Sequence, residues 1–260
     1  MRRAGIATLA LALIFAPNAV HAAEIKVLAS GALKLVLPEL SRDFQQSSGI
    51  TVVTEYGPAG AIAERVRKGE PADVAIVSKP QLERLEDGGK IVKGSGVSIA
   101  GIAIGVAVRK GAPKPDISTV DAFRRTLLAA RAIGYRDPTT GSTSGTYMAR
   151  LLERLGIAAT LRPKTWLDRS DGEHPEKVFE PLAEGEIDLQ IGQITEIAMA
   201  PGIDLAGPLP PEIQDTTVLA AGLVVVSQAP ADAKAFVRFL TSEATAKLLS
   251  ANGFQPVAAR

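Results

Sequence analysis

The 260-residue sequence predicts an α/β fold of two doubly wound lobes joined by two crossing strands. Three observations carry that expectation. From Glu24 onward, short β-branched runs alternate with helical runs, the pattern of parallel βα units. Glycine- and hydroxyl-rich loops follow the strands, as they do where ligands gather at strand ends. Two long apolar runs, 97–108 and 217–227, lie about 110 residues apart, a spacing that lets the chain pass to a second lobe and return. The same spacing also fits two interior strands of one larger sheet.

In the first lobe, residues 25–29 form a strand that Ser30 and Gly31 break. Leu33, Val36, Leu37, Leu40 and Phe44 then fall on one helical face, and Pro38 kinks that helix unless it sits in the first turn. Residues 50–55 form a second strand, followed by a turn at 56–60 and a helix through Ile62 and Val66. A third strand at 73–77 leads into a helix opened by Ser78, Lys79 and Pro80. The loops at these three strand ends make Ser30, Gly31, Lys34, Gly57, Gly60, Ser78 and Lys79 candidate ligand contacts. Lys34 and Lys79 also fit wet helix faces, and Asp73, at a strand start, reads as structural.

The second lobe repeats the pattern: a helix at 120–130, a strand at 132–135, a loop at 136–144, and a helix running to Gly156. A helix at 177–183, a strand at 187–191 and a short helix from Thr195 follow. Two amphipathic helices, 232–240 and 242–250, close the chain and pack back on the first lobe. The segment from Arg136 to Tyr147 carries the most chemistry. It leaves a strand and opens a helix, so unpaired N–H donors and a partial positive charge meet several hydroxyls. Thr140, Ser142, Thr143, Ser144, Gly145, Thr146 and Tyr147 are therefore candidates for holding a small anion. Ser144 as the cap of a helix beginning at Gly145 is the structural alternative, and Tyr147 and Trp166 also suit a core. No lysine follows the glycine, so this is not a phosphate-binding P-loop. Gln193, at the end of an apolar strand with Gln190, contacts either ligand or backbone.

Composition narrows the function. Arg2 and Arg3, an apolar run at 4–16 and a small-residue tail predict an export signal over residues 1–23, cleaved near Ala22 or Ala23. The apolar run is shorter than the roughly 20 residues a membrane span needs. The expected lobes are then 24–102 plus 224–260, and 103–223. The chain has 29 basic and 28 acidic side chains and 4% aromatics, which argues against a nucleic-acid surface. It has no cysteine and two histidines, His21 and His174, so no metal site and no cofactor are expected.

These loops also carry a resemblance. The segments 25–33, 69–74, Asp137-Pro138 and Asn252-Gly253-Phe254 resemble the periplasmic molybdate-binding proteins of ABC transporters. The resemblance implies a type II periplasmic binding fold, a monomer that closes on its ligand and delivers it to a membrane permease. It also implies serines in the first two loops and a tyrosine near the end of the 187–193 strand. Here those positions are Ala32, the stretch 58–60 and Gln193, so molybdate itself does not carry over. The sequence is similar as well to the aconitate isomerase branch, which shifts the double bond of a tricarboxylate on the same scaffold. Such chemistry needs a base near an acidic C–H, for which Glu55, His174 and Lys34 are nominal candidates; the sequence singles out no catalytic residue. The expectation is a periplasmic solute-binding protein for a small carboxylate or oxyanion, with an isomerase as the alternative.

Overall fold

The structure, a computed structural model, describes residues 23–170 and 175–257. Most of the expected export signal and His174 lie outside those residues.

The first lobe begins with β1 (Glu24–Ser30), a 3-10 turn at Gly31–Leu33, and α1 (Leu37–Ser48). Pro38 sits in the first turn of α1, where its missing N–H costs nothing, so the helix is not kinked. Then come β2 (Thr51–Gly57), α2 (Ala59–Arg67), β3 (Val74–Ser78) and α3 (Lys79–Asp87). Strands β2, β1 and β3 are parallel neighbours, which brings the ends at Ser30 and Gly57 side by side. A long strand, β4 (Val97–Arg109), leaves this lobe. Its residues 97–103 pair with β9, and its later residues with β7 and β8.

The second lobe holds α4 (Val120–Ala129), β5 (Ile133–Arg136), α5 (Thr143–Arg154), α6 (Ala158–Leu161) and β6 (Thr165–Asp168). It continues with α7 (Glu180–Glu184), β7 (Leu189–Gln193), α8 (Ile194–Met199) and β8 (Ile203–Pro208). β9 (Thr216–Leu223) pairs antiparallel with β3 and β4, and α9 (Pro230–Phe239) and α10 (Glu243–Ala251) end the chain. The strand order is β2-β1-β3-β9-β4-β7-β5-β6, with β8 also on β4. Two doubly wound halves are thus joined through the antiparallel pair β4 and β9.

Each half is covered on both faces. Ile25, Val27, Phe44, Ile76, Phe236 and Leu249 form a core between the first sheet and α1, α9 and α10. Leu28, Ile62, Val77 and Leu82 fill the opposite face beneath α2 and α3. Phe44 meets Phe236 edge-on at 5.0 Å, and full burial of each such ring contributes about 1.5–3 kcal/mol. In the second half, Phe123, Ile133, Met148, Leu151 and Ile191 form one core, and Val178, Phe179, Leu182 and Ile197 the other.

Several local readings shift. The 217–227 run ends as a strand at Leu223. Beyond it the Val225 N–H donates to the Lys90 carbonyl, and Asp73 accepts bonds from Ser227, Gln228 and Ala229, so the chain leaves the ladder in a turn held by Asp73. Strands β6 and β8 lie in stretches the sequence left unassigned. The final pair of helices packs on the first lobe as expected.

Candidate functional site

The carboxyl ends of β1, β2, β5 and β7 converge on one cleft between the lobes. One wall is formed by Ser30, Gly31, Gly57, Pro58 and Ala59. The other is formed by Arg136, Ser142, Thr143, Gln193 and Glu196. The walls stand close, with about 20 Å³ of room between them, little more than a water needs. At the mouth the Gly60 N–H donates across the cleft to the Gly141 carbonyl at 3.0 Å. A Cβ on Gly60 would lie 2.6 Å from that oxygen, so only glycine allows this approach.

The second wall carries the charge. Arg136 ends β5 with its side chain only 5% exposed. Its Nη1 lies 3.3 Å from Asp168 Oδ2 and 3.5 Å from Ser170 Oγ, and its Nη2 lies 3.9 Å from Glu196 Oε1. The Nε is buried without a hydrogen-bond partner. A buried guanidinium with an unused donor and long ion-pair distances has capacity for a further anionic oxygen. Glu196, in the first turn of α8, is equally buried. Burial pushes its carboxyl above the usual range; Arg136 opposes that shift and Asp168 adds to it.

Neutral donors surround this cluster. α5 starts at Thr143, with Ser142 as its cap: the Gly145 N–H donates to Ser142 Oγ at 3.2 Å. The cap is therefore Ser142 rather than Ser144, because Gly141 in the left-handed conformation turns the chain two residues earlier. Ser142 and Ser144 hydroxyls are 3.2 Å apart, and Gln193 Nε2 is 3.5 Å from Thr143 Oγ1. Gly145 matters for the same seat, since a Cβ there would lie 2.2 Å from the Arg136 carbonyl oxygen.

Six of the residues expected from the sequence thus meet in the cleft: Ser30, Gly31, Gly57, Ser142, Thr143 and Gln193. The remaining candidates have other engagements. Gly60 makes the inter-lobe bond, and the Lys34 ammonium stands 5.9 Å from the Tyr56 ring centre. The Ser78 hydroxyl donates to Gln81 Oε1 at 2.7 Å, closing the first turn of α3, where Lys79 is half-buried outside the lining. The hydroxyls of Thr140 and Thr146 donate to the carbonyls of Asp137 and Ser142, both at 2.8 Å. Tyr147 donates to the Ile213 carbonyl, and Ser144 and Gly145 serve the α5 start. Glu55 is bound by Lys26 at 2.7 Å and by Arg65, which hold its carboxyl below the usual range. Asp168 and Glu196 are not among the residues expected from the sequence, and Arg136 enters there only as the start of the 136–147 segment. Among the described residues, no cluster of acidic and histidine side chains could hold a metal ion.

Two α/β lobes that meet across a narrow cleft, bridged by paired crossing strands, define a type II periplasmic binding fold. Residues 25–255 match the family of bacterial extracellular solute-binding proteins, and the chain belongs to that family. It is 33% identical to a protein of Pseudomonas sp described as aconitate isomerase, over 97% of each chain. Among solved structures, it resembles the periplasmic molybdate-binding protein of Azotobacter vinelandii. That likeness has a TM-score of 0.74 at 19% identity, over 90% of this chain and all of the other. It also resembles a substrate-binding protein of an ABC transporter from Agrobacterium tumefaciens, with a TM-score of 0.71 at 15% identity, over 93% of this chain and 82% of the other. Among the described residues no helix is long and apolar enough to cross a membrane.

Proposed function

We propose that the protein captures a small carboxylate-bearing anion between its lobes in the periplasm and presents the closed form to an ABC-type permease. One observation carries the reading: Arg136 is buried at the cleft with its Nε unpartnered. A carboxylate meets a guanidinium in a two-point fork, which a single tight ion pair with Asp168 would otherwise occupy. Ser30, the α5 start with Ser142 and Thr143, and Gln193 supply uncharged donors for the remaining oxygens. The walls must part at the crossing strands to admit such a ligand and close again around it.

The test is a thermal-shift titration of the purified protein with cis-aconitate, citrate, sulfate and molybdate. A carboxylate should raise the melting temperature in a saturable manner, as any ligand selective for the folded state does. If none of the four anions raises it at millimolar concentration, the reading fails.

A second reading, in which the cleft also isomerises its ligand, is favoured by the 33% identity to aconitate isomerase over nearly the whole chain. Incubation with cis-aconitate, with the trans isomer followed by chromatography, tests it. A flat trace removes the reading while leaving capture intact.

A further inference from the structure

We infer that Glu196 is the group that carries a proton between two carbons of an unsaturated tricarboxylate bound in the cleft. The inference rests on the isomerase reading and assigns it a residue.

Among the described cleft-lining side chains, Glu196 alone is a carboxylic acid; its polar companions are hydroxyls, an amide and an arginine. It stands in the first turn of α8, three residues after Gln193 at the end of β7. Its Oε1 is 3.9 Å from Arg136 Nη2, too far for a hydrogen bond, while Asp168 approaches the same guanidinium more closely at 3.3 Å. Asp168 therefore steadies Arg136, and Glu196 is left facing the space beside it. A substrate carboxylate gripped by Arg136 places its neighbouring carbon next to Glu196. Burial raises the affinity of Glu196 for a proton, which makes its ionised form a stronger base than an exposed glutamate.

The reaction balances without an oxidant or a second reactant. Ionised Glu196 removes a proton from the methylene carbon. The C–H electron pair becomes a new double bond to the central carbon, and the electrons of the old double bond pass to the outer carbon and its carboxylate. Protonated Glu196 then returns a proton to that outer carbon, which becomes the methylene. Arg136 stabilises the charge that builds on the carboxylate between the two transfers.

The experiment compares wild type, E196Q and E196D with cis-aconitate in heavy water, following the trans isomer and deuterium uptake by proton NMR, with thermal shift as a separate measure of binding. Glu196→Gln should lower turnover by roughly a hundredfold or more and still show a cis-aconitate-induced rise in melting temperature. Glu196→Asp, with a shorter reach, should keep a measurable fraction of turnover. If Glu196→Gln does not fold, an E196D enzyme with undiminished kcat counts against the assignment, and a reduced kcat at unchanged KM supports it. Wild-type-like turnover by a folded E196Q overturns the role of Glu196. Wild-type protein that binds cis-aconitate with neither isomerisation nor deuterium uptake overturns the proton shuttle but leaves capture standing. Wild-type protein that does not bind it overturns the shuttle together with the cleft reading for this ligand.

Discussion

The first lobe meets the cleft with Ser30, Gly31, Gly57, Pro58 and Ala59, none of them ionisable, whereas the second brings Arg136 and Glu196 with Asp168 behind them. Both walls use the same device, loops at the carboxyl ends of parallel strands, yet they divide the labour. The second lobe holds buried charge at fixed spacing, and the first closes over it with backbone and one hydroxyl. Recognition of charge should therefore depend on the second wall and completeness of closure on the first. Substitutions on the two walls test that division.

The largest effect should come from Arg136→Ala. Removal of the guanidinium leaves Asp168 buried without its partner, which costs about 3–5 kcal/mol of folding stability, and it abolishes anion binding. Urea unfolding measures the first and thermal shift the second. Adding D168N to R136A should recover much of the stability, since the orphaned charge is gone, but none of the binding. Recovery of both would show that Arg136 serves the fold alone and would dissolve the contrast between the walls.

Gly60→Ala acts on closure. The added methyl would press on the Gly141 carbonyl, a backbone atom that cannot swing aside. Overpacking of this kind costs about 1–3 kcal/mol, paid only when the lobes meet. The urea midpoint should stay near that of wild type while anion affinity falls by about tenfold. A fall in stability without a fall in affinity would mean that the Gly60–Gly141 bond forms regardless of ligand.

Three of the five residues of each wall were legible in the sequence, and on the second wall they are the uncharged ones. Ser30, Gly31 and Gly57 sit where apolar strands break at small residues, and Ser142 and Thr143 follow a glycine before a helix; both are local signals. The charged cluster is not local. Arg136, Asp168 and Glu196 span sixty residues and meet only because β7, β5 and β6 are neighbours in the sheet. Two traces of it were present. Arg136 directly follows the buried Ile133, Gly134 and Tyr135, and Glu196 is the one charged residue in the short, mostly apolar helix Ile194–Met199. Charges in such settings need partners, although the sequence alone does not name them. Strand β6 was missed because it is four residues long and three of them are only half-buried, which leaves no clear alternation to read.

The smallest effect separates the walls most cleanly. Ser30 makes no side-chain capping bond, so Ser30→Ala should leave the urea midpoint unchanged and weaken anion binding by about 0.5–1.5 kcal/mol, the net value of one hydrogen bond. Ser142 has two tasks, because its hydroxyl accepts the Gly145 N–H at the start of α5 as well as facing the cleft. Ser142→Ala should therefore lower affinity similarly and also cost about 0.5–2 kcal/mol of stability through the lost cap. Parallel urea and ligand titrations of the two variants read both quantities. If S30A destabilises the protein as much as S142A does, the first wall is structural in the same sense as the second, and it is more than a cover closing over fixed charge.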